Sequence, residues 1–200
     1  LQTEDAAAAK EKAYAAMQEA LKNLEAAKDA ASPEKLAEID DDIAAFQELY
    51  DMVVAEAAKR REPLPAMQAN VAAAQADYDK ASNRVSELKA KVEKALADRD
   101  YETVLQLRME VKMADSERES CGYKLDQHRR TLESQEEQVK IFEDGAEKAK
   151  ANIDACTAKR NALLSDLNKA QAAYDDACKA YEEAKAAADK ATSPEITKPT

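Results

Sequence analysis

The chain of 200 residues has no Trp, only 2 Gly, 5 Pro and 2 Phe, and a single His. Each shortage excludes something. Two glycines are too few for a phosphate-cradling loop. One histidine, His128, leaves no pair of Glu-x-x-His motifs, so a di-iron bundle is ruled out, and no nucleophile–histidine pair has support. The helix-strand punctuation that Gly and Pro supply is sparse throughout. No stretch approaches the ~20 apolar residues that a membrane span needs. There is no Asn-x-Ser/Thr acceptor, and the only basic runs, Lys59-Arg60-Arg61 and Arg129-Arg130, are short. The net charge of −11 repels phosphate backbones and anionic lipid, so nucleic acid is not expected as a partner.

What remains is a helix-forming composition. Ala occupies 45 positions, while Leu, Ile, Val and Phe together occupy 30. Ala, Glu, Lys, Leu and Gln all favour helix. A core of Ala with occasional large residues suits slender, closely packed helices.

The spacing bears this out. Take every third and fourth residue from Leu36: Leu36, Ile39, Ile43, Phe46, Tyr50, Val53, Ala57, Arg60, Leu64, Met67, Val71, Ala74, Tyr78, Ala81, Val85, Leu88, Val92, Ala95. Seventeen of these eighteen are apolar. The phase survives Pro63 and Pro65, which predicts one kinked but continuous helix over about 33–98. The same spacing from Val104 to Ala188 gives twenty-one apolar residues of twenty-five, the exceptions being Arg118, His128, Gln135 and Arg160. It passes Gly145 without a slip, so one helix over 101–190 is expected. At 1.5 Å per residue the two helices would measure ~100 and ~135 Å.

Ser32-Pro33 reads as an N-cap followed by Pro at the first helical position. Asp100 is a candidate cap for the helix from Tyr101, after a turn at 98–100. A shorter N-terminal helix over about 3–31 shows a weaker stripe of Ala7, Tyr14, Met17, Leu21, Leu24 and Ala31. Its phase breaks at Ser32, so it is expected to fold back antiparallel on the helix from Pro33. The fold class is therefore all-α: an elongated antiparallel helical bundle or coiled coil over 1–191, followed by a Thr/Pro linker tail over 192–200. Helix 101–190 would outrun its partner by about 24 residues, ~36 Å. The overhang would leave Tyr174 and Tyr181 uncovered, and self-association into a homodimer is the expected remedy.

Cys121, Cys156 and Cys178 all fall on that last helix. Their separations would be ~50 and ~33 Å, and a disulfide needs Cα atoms within about 7 Å. No intrachain disulfide is expected, although Cys178 could cross-link two chains. His128 is expected as a polar residue of the core or an interface. Arg118, Gln135 and Arg160 are expected as register-setting polar layers. No catalytic, cofactor-binding or metal-binding residues are singled out, no cofactor is implied, and the chain reads as non-enzymatic.

Two resemblances follow from particular residues. The stretch Ala97-Asp98-Arg99-Asp100-Tyr101-Glu102-Thr103-Val104-Leu105-Gln106-Leu107-Arg108 resembles the UVR motif, a short helical hairpin that mediates protein–protein contact in bacterial excinuclease and Clp ATPase subunits. Over the whole chain, the 68 Ala plus Glu residues, the absent Trp and the tail Ile196-Thr197-Lys198-Pro199-Thr200 set a style. In that style the chain is similar to the glutamic acid/alanine-rich surface coat protein of African trypanosomes. It shares with the variant surface glycoproteins a long helical hairpin. That resemblance implies a surface coat molecule with a GPI anchor beyond its C-terminal side, set among neighbouring coat molecules. The signal peptide and the anchor would lie outside this chain. An intracellular coiled-coil scaffold or cytoskeletal linker, favoured by the free thiols, is the alternative. A surface receptor, which an exposed apolar patch would favour, is the other.

Overall fold

The structure of the protein, a computed structural model, describes residues 2–192. Among them there are four α-helices and no strand: α1 (Gln2–Ala30), α2 (Pro33–Arg61), α3 (Leu64–Ala97) and α4 (Tyr101–Thr192). The expected tail lies outside the described residues, apart from Thr192, which is the last residue of α4.

The expected stripe is the buried stripe. All eighteen positions from Leu36 to Ala95 are buried or half-buried, and so are all the positions from Val104 to Ala188 except His128. The helix over 33–98 is, however, two helices. Pro63 and Pro65 lack the N–H groups that would have donated to the carbonyls of Lys59 and Arg61, so the hydrogen-bond ladder stops at Arg61 and restarts. Pro63 itself keeps helical dihedrals, φ −78° and ψ −10°, and its carbonyl accepts from the Met67 N–H at 3.0 Å. That is why the stripe keeps phase across a break in the ladder.

The chain forms two compact units. One holds residues 49–148: the end of α2, all of α3 and the first part of α4. Here α4 runs antiparallel to α2 and α3. Arg61 pairs with Glu143, Gln75 with Arg129, and Tyr78 packs over Gly122. The unit's most deeply buried large side chains are Leu88 and Val85.

The turn that reverses the chain is a Schellman motif. The Asp100 N–H donates to the Ala95 carbonyl at 3.0 Å, and the Arg99 N–H to that of Leu96 at 3.1 Å. Arg99 occupies the left-handed position, φ 58°, which glycine usually fills. Asp100 then caps α4 as expected. Its carboxylate accepts from the Thr103 hydroxyl at 2.6 Å and the Thr103 N–H at 3.3 Å. The hydroxyl bond first, and the amide bond second, hold the Asp100 carboxyl below its usual range. The cap is therefore intact above the ordinary carboxylate range and fails as pH falls through that lowered value.

Gly145 lies inside unbroken helix. A Cβ there would meet only Val53 Cγ1, at an ordinary 3.8 Å. Since Gly costs about 1 kcal/mol against Ala in a helix interior, Gly145→Ala should stabilise the protein by roughly that amount. A denaturant midpoint that failed to rise would mean that α4 is not helical through this point.

Among the described residues, the other unit holds 2–48 and 149–192. Here the structure corrects the expected fold-back of the first helix. Arg160 of α4 reaches Asp40 of α2 at 2.8 Å, and Tyr181 packs against Tyr14 of α1 with ring centroids 5.5 Å apart and planes tilted by 58°. Glu25 lies close enough to Tyr174 to bias its titration. Positions 40, 25 and 14 thus meet successively later parts of α4. In a hairpin folded at Ser32, residues 25 and 40 would instead face each other. α1 continues along α4 in the same sense as α2 and covers the stretch that was expected to overhang.

The physical reason lies at Ser32. Its hydroxyl accepts the Lys35 N–H at 3.3 Å as an N-cap, while its own N–H reaches the Asp29 carbonyl at 3.4 Å. Pro33 interrupts the ladder without reversing the chain. Met17, Leu21, Leu24 and Ala31 are covered as expected; the remaining covered positions are Ala6, Lys10, Ala13, Ala20, Ala27 and Ala30. Ala7 and Tyr14, expected in the stripe, are exposed.

Candidate functional site

No group of three or more His, Cys, Asp or Glu able to hold a metal ion occurs among the described residues, and no helix among them is long and apolar enough to cross a membrane. A shallow open groove of about 670 Å³ lies between α3 and α4 within the 49–148 unit. Its charged walls alternate in sign: Asp77, Lys80 and Arg84 on one side, Glu110, Glu117 and Lys124 on the other. Such walls converge on no single ligand group.

The polar interruptions of the stripe resolve into local roles. Arg60 and Gln135 meet at the proline break. Gln135 Nε2 donates to the Arg60 carbonyl at 2.8 Å, at the last turn of α2, between the Lys59 and Arg61 carbonyls whose ladder donors the prolines remove. Arg60 donates to Glu56 at 2.9 Å and to Gln138, and its guanidinium lies 5.5 Å from the centre of the Phe142 ring. Arg61 is tied to Glu143 alongside. Four residues of α4, Gln135, Gln138, Phe142 and Glu143, thus brace the interruption that two prolines introduce, and this layer is structural.

Arg160 lays its stem along the seam and pairs with Asp40. Arg118 reaches Asp115 Oδ1 at 3.1 Å without hydrogen-bond alignment, so that oxygen is shielded yet unbonded. His128 departs from expectation, because it is exposed. Its position belongs to the stripe, but its ring reaches water and no layer forms around it.

All three cysteines are free and half-buried. Cys178, expected on a bare overhang, lies where α1 covers α4. It stands one turn from Tyr174, and the hydrogen bond between the two, then the thiol's charge, raise the Tyr174 hydroxyl above its usual range.

The feature that heptad counting missed is on the outer face of α4. Tyr101, Leu105, Met109 and Met113 are 63%, 66%, 71% and 73% exposed. They fall at intervals of four, so they form one continuous ridge that winds along the side of the helix away from the seam. Tyr123 extends this face at 66% exposure. A spacing test at four-residue intervals outside the stripe would have found the ridge in the sequence. Large apolar side chains gathered this way on a solvent face mark an interaction surface more often than scattered ones do. Comparison with known proteins yields no matching family model, no matching curated protein and no matching solved structure.

Proposed function

We propose that this chain is a non-enzymatic surface coat or spacer protein, an upright helical rod held at the cell surface by a lipid anchor beyond its C-terminal side. The observation that supports it most is the 92-residue helix α4, whose apolar stripe is covered almost without interruption by its own chain. A helix that long, stiffened by partners on one seam, suits holding one end of a molecule far from the other. The acidic surface keeps neighbouring coat molecules apart by charge. The test uses the protein in its own cells. Phosphatidylinositol-specific phospholipase applied to intact cells should release it into the supernatant. Retention, with resistance to protease added outside, would remove this reading.

Two specific observations favour rival readings. Three free thiols suit a reducing compartment and an intracellular coiled-coil scaffold. The exposed ridge on α4 suits a surface receptor. The same experiment separates the first rival, because a scaffold stays inside.

A further inference from the structure

We propose that α1 is a detachable strap: it opens from α4 as one unit at the Ser32–Pro33 junction and uncovers the end of α4, while the 49–148 unit stays folded. The boundary of the strap is set by the hydrogen-bond ladder. Pro33 has no N–H to offer the Asp29 carbonyl, which takes the Ser32 N–H at 3.4 Å instead. A helix forms and melts cooperatively along an unbroken ladder, and a break in the ladder stops the spread. The 29 residues of α1 are such a stretch.

The packing of α1 is also thin. Leu24, 2% exposed, is the one fully covered residue within the helix. The half-buried positions are Ala6, Lys10, Ala13, Met17, Ala20, Leu21, Ala27 and Ala30, and five of these eight are alanine, which brings only a methyl group to the seam. That burial has to offset the conformational entropy of the whole helix.

The two junctions of the chain opposite α4 differ in the same direction. At Pro63 and Pro65, α4 reaches across the break through Gln135, Gln138 and Glu143. At Ser32 the bonds are local: the hydroxyl accepts from the Lys35 N–H at 3.3 Å, and the N–H reaches back to Asp29. The cross-seam pair of Arg160 with Asp40 sits on α2, beyond the junction, and stays shut when α1 leaves.

Opening bares the stripe from Leu167 to Ala184, with Tyr174 and Tyr181, and the half-buried thiol of Cys178. The end of α4, left without its partner, loosens with the strap. The tyrosine-bearing face of α4 is thus gated by α1, and it is available only in a minor open state of about 0.1–1%. This inference rests on the packing of α1 and stands independently of the coat reading.

The experiment is native-state hydrogen exchange of the full chain in low urea. Amides of α1 and of 167–188 should exchange with one shared opening equilibrium, orders of magnitude faster than those of 101–148. Leu24→Ala should accelerate both stretches together by about tenfold or more. Ala16→Gly is the sharper variant. Ala16 is exposed and touches nothing across the seam, but glycine weakens the helix, so exchange should rise about fivefold in α1 and equally in 167–188. Neither substitution should change 101–148. Exchange in α1 as slow as in 101–148 would overturn the proposal, because α1 would then open only with the whole chain. An Ala16→Gly effect confined to α1 would overturn it too, because the helix would be fraying turn by turn without releasing α4.

Discussion

Leu88→Ala should lower the stability of the 49–148 unit by about 3 kcal/mol. Leu88 is only 2% exposed and is one of the two largest side chains that are fully enclosed. Its neighbours on the stripe of α3 are Val85, at 2%, and half-buried Val92. The cost has two parts, the lost transfer of three carbons out of water and the cavity they leave. The cavity part is expected to be large here. Leu88 is fully enclosed, and its stripe neighbours Val85 and Val92 are β-branched and stiff at χ1, so they are poorly able to lean into a gap. The matched control is Met52→Ala, at a position 64% exposed, which should change stability by less than about 0.5 kcal/mol. Urea unfolding of the three proteins by circular dichroism checks both. A Leu88→Ala loss under about 1 kcal/mol would mean that the seam between α3 and α4 is not closed at this position.

That contrast also shows which links of the argument were legible in the sequence. The seam positions from Leu36 to Ala95 were readable because large residues recur there at intervals too regular for accident, and burial follows them. The same reasoning lost its footing in α1. With Ala6, Ala7, Ala8 and Ala9 in one run, a shift of one residue changes no residue type there, and at 13 and 14 it is the small Ala13 that is covered while the larger Tyr14 is exposed.

The prolines were half readable. Preserved phase meant that the chain does not reverse at Pro63 and Pro65, which holds. Phase carries no information on the hydrogen-bond ladder, which breaks, and Gln135 has to compensate from across the seam. At Ser32 the opposite error arose. The break in phase predicts a reversal, but an N-cap followed by Pro marks only where a helix starts. The cap at Asp100 was legible because its chemistry is local, two bonds to a residue three positions on. The left-handed Arg99 was not, since sequence gives no sign that a residue other than Gly will take that position. The ridge on α4 lies off the seam spacing, and heptad periodicity carries no information on the other faces of a helix.

Removing residues 1–31 should open the far end of α4, and the location of the damage is the informative part. In the structure Tyr14 lies against Tyr181 and Leu24, 2% exposed, sits in the same covered stripe of α1. Without α1, the apolar positions Leu167, Ala170, Tyr174, Ala177, Tyr181 and Ala184 face water. A helix of that length and sequence is marginal when it stands alone in water, because packing of its apolar face supplies most of its stability. Hydrogen exchange across α4 should therefore accelerate by about a hundredfold or more from roughly residue 165 onward, and stay nearly unchanged in 101–148. A first helix folded back on α2 would give a different map. It would have lain beside the part of α4 that faces α2, so its removal would expose amides near 140–165 and spare the last twenty residues. Exchange that accelerates in the middle of α4 while its C-terminal turns keep their protection would contradict the pairing of α1 with 167–188. Exchange that accelerates at the C-terminal turns alone would show that α1 is what covers them, and that the chain needs no second molecule to protect that end.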